Sequence, residues 1–225
     1  MIRDIRFPAD PAVLATLRPG EMVTISGTIV ATAGIPTHQR LVACAAAGED
    51  PPVPLQGGAL FHLGSYSRET AEGGFEILYM NPTTSTRFND VMPGLIRHFG
   101  LQAVGGKGGL DRHCAAALAE TGGVYLSFLG GGAPIISAGI RAIKAIGYPD
   151  MIAHYRLVCL EVENLGPLTV GIDARGGSLY DAADATARDR RDGILEGLRR
   201  ARAAAPGAAE SSPPSPASKE VPKWA

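Results

Sequence analysis

EMVTISGTIVAT, residues 21–32, carries the clearest secondary-structure signal in the chain. Val23, Ile25, Ile29 and Ala31 fall on one face of an extended segment, whereas the threonines and the serine between them fall on the other. This period of two is typical of a β-strand with one buried face. The pattern therefore predicts a strand whose apolar side is covered by the rest of the fold.

The residues that follow predict more strands, and then an alternation of strands and helices. Apolar runs at 58–64 and 74–81 indicate two strands on either side of a polar turn. Capping residues and terminating glycines predict three helices: one capped by Asn89 or Asp90 that runs through His98, one from Asp111 to Gly122, and one from Pro134 to Gly147.

The C-terminal part predicts two strands, a helix and a tail. YRLVCLEVE and LTVGID are apolar runs separated by NLGP, a turn signal, and a charged helix is expected over 182–204. Of the last 23 residues (203–225), 16 are Ala, Pro or Ser, which predicts a disordered tail after a domain spanning 1–202. The order of elements predicts a mixed α/β fold, with a mixed sheet and helices on one side.

The composition excludes several classes of function. With 21 basic and 22 acidic residues, the formal charge is −1, which gives no indication of nucleic-acid or anionic-membrane binding. The three cysteines are too scattered for a disulfide framework or a spaced metal motif. No secretory signal or apolar run long enough for a bilayer is evident. We therefore expect a reduced cytoplasmic protein that binds no metal on its own.

NPTTSTRFND, residues 81–90, concentrates polar chemistry between a predicted strand and a predicted helix. A helix start needs one hydroxyl to cap its free backbone N–H groups, yet four hydroxyls stand in a row at 83–86. Arg87 follows them, and a guanidinium binds a carboxylate through two parallel hydrogen bonds. The residues alone leave a helix cap and an anion site both open.

GGKGG, residues 105–109, is a second candidate anion site, because it lies between a short apolar strand and a helix start. It is not a nucleotide-binding P-loop, since Lys107 is followed by Gly108 instead of Ser or Thr. A flexible turn with a solvated lysine and a close-packed turn that aims its ammonium both fit the pattern. In IPTHQR, His38 and Arg40 could likewise line a pocket or serve only structural roles.

Five stretches in order resemble a known family: SGTIVAT…THQRL, NPTTSTR, GGKGGL, YLSFLGGGAPIISAGI and LTVGIDARGGSLY. They are similar to the β subunit of iron–sulfur hydro-lyases, a group that contains class I fumarases, as a C-terminal domain, and two-subunit L-tartrate dehydratases. The resemblance covers residues 18–181. It implies a swivelling β/β/α domain that completes the active site of a partner α subunit, which holds a [4Fe–4S] cluster.

The resemblance also implies roles for individual residues and for the assembly. Thr83 matches the position of the catalytic base that removes a proton next to a carboxylate, and Arg87 and Lys107 match positions that clamp substrate carboxylates. The implied substrate is a small hydroxy-carboxylate of the fumarate/malate or tartrate type, and the implied assembly is a homodimer or an α2β2 complex. The other substrate-binding residues predicted on this basis are Thr84, His38 and Arg40.

One departure from the family pattern bears on the substrate. Where the family has Arg-Asp before its histidine, this chain has Gly34 and Ile35, so one carboxylate-binding guanidinium is missing. Arg40 could replace it, or the substrate could lack one carboxylate. The departure also leaves open a non-catalytic anion-binding relative, and a nucleotide-binding enzyme is the least supported alternative.

Overall fold

The computed structural model describes residues 2–71 and 74–204. The chain divides into two compact units, residues 1–182 and 183–225. In the described residues, the helices are α1 Pro11–Leu14, α2 Ile35–Ala47, α3 Met92–Phe99, α4 Arg112–Thr121, α5 Ala133–Ala138 and α6 Leu179–Ala204, with short 3₁₀ helices at Ser85–Phe88 and Ala153–Tyr155. The strands are β1 Arg3–Phe7, β2 Met22–Ala31, β3 Ala59–Phe61, β4 Leu63–Glu69, β5 Phe75–Pro82, β6 Ala103–Gly106, β7 Val124–Ser127, β8 Ile140–Gly147 and β9 Leu157–Ile172.

Seven strands form one mixed sheet in the order β1-β2-β3-β6-β7-β9-β8. The first four pairs are parallel, whereas β9 is antiparallel to both β7 and β8. Because β9 also pairs with β2, the sheet closes on itself like a barrel. Strands β4 and β5 form a separate antiparallel hairpin. The predicted mixed α/β fold is confirmed.

Two apolar cores stabilise the first unit. The alternating face predicted for residues 21–32 is confirmed: Val23, Ile25, Ile29 and Ala31 are all buried in the core enclosed by the sheet. The second core lies where α2, α3 and α4 pack together, and it includes Val30 from the opposite face of β2. A strand with both faces buried needs apolar side chains on both faces, as the Ile29-Val30 pair provides.

The predicted caps are correct for α4 and wrong for α3. The Asp111 carboxylate accepts hydrogen bonds at 3.0 Å from the backbone N–H groups of His113 and Cys114, as an N-cap does. Helix α3 begins at Met92 instead of following a cap at Asn89 or Asp90. The Asn89 side chain accepts a hydrogen bond from the Asp111 backbone N–H instead, so it joins two turns and caps no helix.

The helix predicted from Pro134 to Gly147 is wrong beyond its first turns. Helix α5 ends at Ala138, and residues 140–147 form β8, which pairs with β9. Two β-bulges interrupt this pairing, at 140–142 and 143–145. Each bulge adds one residue between core-facing positions, which produces the helix-like spacing of three between Ile140, Ile143 and Ile146.

The C-terminal elements also differ in their boundaries from the prediction. The two strands predicted around NLGP are a single long strand, β9, whose pairing with β2 shifts register near Leu165. Helix α6 begins at Leu179, three residues before the predicted start, and ends at Ala204 as predicted, so residues 203 and 204 are helical and do not belong to the tail. The tail prediction for 205–225 lies outside the described residues. Within the described ranges, no helix is both long enough and apolar enough to cross a membrane.

Candidate active site

A cleft of about 310 Å³ opens beside the end of β5. Its walls come from three parts of the sequence that the fold brings together: the start of α2, the β4–β5 hairpin with the turn that follows it, and the 3₁₀ helix before β9. The residues that line it are Ala33, Ile35, Gly64, Tyr79, Asn81, Thr83, Arg87, His154 and Tyr155.

Backbone hydrogen bonds fix the segment that carries Thr83 and Arg87. The Thr83 N–H donates to the His62 carbonyl at 2.7 Å, and the Lys107 N–H donates to the Thr83 carbonyl at 3.0 Å. The Ser85 N–H in turn donates to the Lys107 carbonyl at 2.8 Å. The end of β5 is therefore bound to the end of β6, which brings NPTTSTR next to GGKGG, as the anion-site interpretation requires.

Gly106 makes this close approach possible. A Cβ atom at that position would lie 2.2 Å from the Ser85 Oγ and 2.9 Å from the Thr83 carbonyl oxygen. Such distances are far below van der Waals contact, so a larger residue would push the two segments apart. The close approach of the two segments thus explains why residue 106 is a glycine, which the sequence pattern does not reveal.

Lys107 and Thr84 adjoin the cleft but are not among its lining residues. The Lys107 side chain is half-buried and runs past Gly130, whose added Cβ would lie 3.8 Å from the lysine Cδ. Thr84 is paired with Lys107 through the backbone, and its methyl group packs close to Gly108. Of the predicted catalytic and clamping residues, the cleft therefore combines Thr83 and Arg87 directly, with Lys107 on the adjacent strand end.

Arg87 and Lys107 have no carboxylate partner among residues 2–71 and 74–204. Other basic side chains of the first unit bind carboxylates of the same unit. Arg97, for example, binds Glu120 through two hydrogen bonds. A guanidinium that lines a cleft and lacks an internal partner is available to a bound anion. This arrangement favours the anion-site interpretation over a simple helix cap.

His38 does not line the cleft, contrary to its predicted place in the substrate-binding set. Its ring is buried and stacks on Phe88 at 4.0 Å between centroids, and its Nδ1 lies 2.7 Å from the Gly34 carbonyl oxygen. Burial lowers the pKa of His38 to about 4, although the bond to Gly34 acts in the opposite direction. This histidine therefore serves the packing behind the cleft wall.

Arg40 does not replace the missing arginine. Its guanidinium binds the Asp150 carboxylate, with a 2.9 Å bond from Nη1 to Oδ1, and lies over the Tyr148 ring at 5.0 Å. These contacts hold the charge outside the set of cleft-lining residues. Arg40 is thus held by Asp150 in this structure, and a role for it in substrate binding stays a prediction.

The place of the missing arginine is filled. A Cβ atom on Gly34 would lie 2.4 Å from the Thr37 Oγ1 and 2.9 Å from the Tyr155 Cβ. The side chain of the next residue, Ile35, is 49% exposed and lines the cleft. The departure from the family pattern therefore changes the shape of this wall as well as its charge.

No sequence pattern indicates that Tyr79, His154 and Tyr155 line the cleft. Tyr79 belongs to the exposed face of β5, and its ring stacks on that of Tyr66. The His154 Nδ1 lies 2.8 Å from the Ser65 carbonyl oxygen, a contact between residues 89 positions apart. No motif marks these residues, because only the tertiary fold brings them to Thr83.

The described residues provide no ligand set for a metal ion or an iron–sulfur cluster. No group of three or more His, Cys, Asp or Glu side chains converges in the part of the chain that the structure describes. Cys44 is half-buried, Cys114 and Cys159 are buried, and all three are free thiols. Burial raises the pKa of Cys159, which makes the thiolate form needed for a metal ligand less accessible.

A model of the family described as Fumarase C-terminus matches residues 4–183. The chain belongs to this family. The matched region contains every residue that lines the cleft, together with Lys107. The family assignment therefore rests on the part of the molecule in which the candidate site is built.

Three relatives illustrate the range of the Fumarase C-terminus family. A protein of Geobacillus stearothermophilus named as a class I fumarate hydratase is 30% identical over 182 residues, which are 79% of this chain and 33% of that protein. A Methanocaldococcus jannaschii protein named as an L(+)-tartrate dehydratase subunit beta is 29% identical over 73% of this chain and 84% of its own. The Escherichia coli K12 L(+)-tartrate dehydratase subunit beta is 27% identical over 81% and 89%. The chain thus spans about a third of the Geobacillus relative and most of each β subunit.

Proposed function

We propose that this chain is the β subunit of a hydro-lyase that adds water to, or removes it from, a small hydroxy-carboxylate. The observation that carries the proposal is the shared cleft of Thr83 and Arg87, in which the guanidinium has no carboxylate partner among residues 2–71 and 74–204. The names of the relatives support the reaction class, because two are subunits of tartrate dehydratases and one is a fumarate hydratase.

The proposed roles follow from what each side chain can do. Arg87 binds a substrate carboxylate, and Thr83 Oγ1 accepts the proton from the carbon next to that carboxylate. A neutral threonine hydroxyl is too weak a base for this step, so Thr83 acts as its alkoxide after its own proton has left to solvent. The positive charge of Arg87 and Lys107 lowers the pKa of the hydroxyl and so favours that loss. The same cations stabilise the negative charge that develops on the carboxylate as the proton leaves.

The cofactor is assigned to a partner. Because the described residues offer no ligand set, we place the [4Fe–4S] cluster in an α subunit, where it supplies a Lewis acid for the substrate hydroxyl. Exposed apolar side chains beside the cleft fit such a partner: Ile35 and Tyr79 line it, and Ile152 precedes His154 by two residues. Three free thiols fit a reducing cytoplasmic compartment, and a homodimer or α2β2 assembly completes the proposal.

The shape of the cleft favours a substrate that this chain holds by one carboxylate. Gly34 replaces the second guanidinium, and Tyr155 occupies the space next to it. Ile35, Tyr79 and Tyr155 then present apolar and phenolic surface where a second carboxylate would otherwise be bound. A 3-hydroxy acid with one carboxylate and a less polar substituent therefore fits the cleft, because its hydroxyl leaves from the carbon next to the one that gives its proton to Thr83.

The decisive experiment is reconstitution. The chain is assayed alone and with a co-expressed α subunit, for iron content and for hydration or dehydration of fumarate, tartrate and 3-hydroxy monocarboxylates. We expect no iron and no activity in the isolated chain, and activity in the complex that Arg87→Ala and Lys107→Ala each lower by about 10- to 100-fold. Arg112→Ala, an exposed arginine on α4, is the matched control.

Two outcomes would contradict parts of this proposal. Full activity in both the Arg87→Ala and Lys107→Ala complexes would show that the site is assigned wrongly. Calorimetric binding of a carboxylate by the free chain, with no activity in any complex, would favour the non-catalytic anion-binding relative that the Gly34 departure suggests.

A further inference from the structure

A chain of buried polar groups lies directly behind the turn that carries Thr83 and Arg87. The Ser85 hydroxyl is fully buried and accepts a hydrogen bond from the Tyr125 O–H at 2.9 Å. The same oxygen lies 2.8 Å from the His62 Nδ1, and that histidine is also fully buried. The Tyr125–Ser85–His62 chain thus begins on β7, passes through the turn and ends between β3 and β4.

One assignment of the hydrogens in the Tyr125–Ser85–His62 chain satisfies both contacts of Ser85. A serine hydroxyl has one hydrogen to donate, and Ser85 already accepts the hydrogen of Tyr125. His62 Nδ1 is the acceptor that the contacts of Ser85 provide for its own hydrogen. His62 therefore carries its ring proton on Nε2 when it is neutral, which makes Nε2 a donor.

His38 has the opposite tautomer. Its Nδ1 faces the Gly34 carbonyl oxygen, which can only accept, so Nδ1 carries the proton and Nε2 is an acceptor. Within the described residues, neither the His38 Nε2 nor the His62 Nε2 has a hydrogen-bond partner, although both are buried. The two rings lie 5.2 Å apart between centroids, and the Phe88 ring contacts both. The His62 Nε2, a buried donor, and the His38 Nε2, a buried acceptor, thus both lack a partner on neighbouring rings.

We propose that His62 and His38 are a complementary pair of positioning residues, whose Nε2 atoms share one hydrogen bond, directly or through one water. An unpaired buried polar atom is costly, and each of these two groups satisfies the other. The link joins the turn of Thr83 and Arg87, through Ser85, to the start of α2, where Ile35 lines the opposite side of the cleft.

Burial supports the neutral state that this arrangement requires. It lowers the pKa of His62 well below its usual value, and the proximity of His38 lowers it further. His38 is likewise held neutral by burial. At pH 7 both rings are thus neutral, and in the tautomers assigned above the His62 Nε2 donates and the His38 Nε2 accepts.

The first test reads the tautomers in the full chain. Long-range ¹H–¹⁵N correlation spectra of histidine-labelled protein at pH 7 distinguish an Nδ1–H ring from an Nε2–H ring. We expect the Nδ1–H form for His38 and the Nε2–H form for His62, with neither titrating between about pH 5.5 and 8. The exposed rings of His98, His113 and His154 give internal references. The same tautomer in both rings, or titration of either in that range, would overturn the proposal.

The second test asks whether the pair positions the cleft. Ser85→Ala removes the donor to His62, and His38→Phe keeps a ring on Phe88 but removes the acceptor. Each change should shift the backbone amide resonances of both Thr83 and Ile35 in the free chain. Ser67→Ala is the matched control, because its buried hydroxyl has no partner among the described residues. Shifts confined to one side of the cleft in both variants would refute the link.

The effect on catalysis rests on the proposed function and is measured separately. In the complex with the α subunit, Ser85→Ala should lower kcat by about 10- to 100-fold and leave KM within about 3-fold, because geometry is lost while Arg87 remains. Unchanged kcat in an active complex would refute the positioning role. If no complex is active, the proposed function fails, and the tautomer and amide measurements still decide the histidine pair.

Discussion

The wall of the cleft formed by residues 81–87 and the wall formed by the start of α2 use their charged groups in opposite ways. On the first wall, Arg87 has no internal partner among the described residues and lies beside Thr83. On the second, Arg40 is bound to Asp150 and Gly34 leaves no room for a side chain. The first wall therefore provides a charge that can bind a ligand, whereas the second wall only limits the space that a ligand can occupy.

The difference shows how one cleft can keep its chemistry and change its substrate. Thr83 and Arg87, the groups proposed to accept the proton and to bind the carboxylate, lie on a segment fixed by backbone bonds to His62 and Lys107, which do not depend on the second wall. The second wall is tied instead to the 3₁₀ helix before β9, since the Thr37 hydroxyl donates to the Tyr155 carbonyl. Substitutions on that wall can alter which substrate fits without displacing Thr83.

The largest effect is expected at the first wall, in Thr83→Ala. Loss of the proton-accepting hydroxyl should lower kcat of the reconstituted complex by about 10²- to 10⁴-fold, the usual range for a general base. Steady-state kinetics with the best substrate measures it. Thr86→Ala is the control, because Thr86 lies in the same turn but is exposed and does not line the cleft. Equal losses in both variants would show that the turn, and not the Thr83 hydroxyl, matters.

The next effect concerns the histidines between the walls and depends on pH. Both rings are neutral in the folded chain, with the pKa of His38 lowered from 6.5 to about 4, so below pH 6.5 the unfolded chain binds more protons than the folded one. Stability should therefore fall as the pH drops from 6.5 to 4, and His38 alone contributes about 3 kcal/mol.

Urea unfolding at pH 7, 6 and 5 measures this loss. Carboxylates also titrate at the lower end, so the comparison is between variants: His38→Phe should lose less stability over the range than the unchanged chain. His113→Gln, an exposed histidine on α4, should behave like the unchanged chain. An identical slope for His38→Phe would show that this ring is not held neutral by the fold.

A third effect tests whether close packing around Gly34 leaves no room for a larger side chain in the second wall. Gly34→Ala places a Cβ 2.4 Å from the Thr37 Oγ1 and should destabilise the chain by about 1–3 kcal/mol. Gly94→Ala is the control, since a Cβ on this α3 residue meets nothing within 4 Å. Urea unfolding measures both. Gly34→Arg, which restores the residue type of the family, should then fail to improve dicarboxylate turnover, and a gain would show that the wall is able to open.

The sequence predicted the first wall better than the second, for a physical reason. Local patterns such as the alternation in β2 and the Asp111 cap depend on near neighbours, so they can be read directly. Thr83 and Arg87 belong to one short motif, and their convergence needs only one turn. His154 and Tyr155 reach the cleft from a part of the sequence far from Thr83, and no local pattern encodes such a contact.

Errors arose where tertiary contacts changed a local period or used a side chain elsewhere. The bulges of β8 give a strand the apolar spacing of a helix, so the pattern of Pro134–Gly147 predicts a helix where residues 140–147 form a strand. His38 and Arg40 are polar residues in a motif-like stretch, which made a pocket role plausible. Phe88 and Asp150, the partners that hold them, come from other parts of the sequence.

The smallest effect, and the sharpest contrast between the walls, is expected in Arg40→Ala compared with Arg87→Ala. Arg40 is exposed and its ion pair with Asp150 is solvated, and such pairs contribute little to stability, so the melting temperature should change by no more than about 2 °C. Because Arg40 does not line the cleft, kcat/KM of the complex should stay within about 2-fold, whereas Arg87→Ala should lower it by about 10- to 100-fold. Differential scanning fluorimetry and steady-state kinetics on the two variants make the comparison. A loss of kcat/KM in Arg40→Ala as large as in Arg87→Ala would mean that Arg40 leaves Asp150 when substrate binds, and the second wall would then supply charge after all.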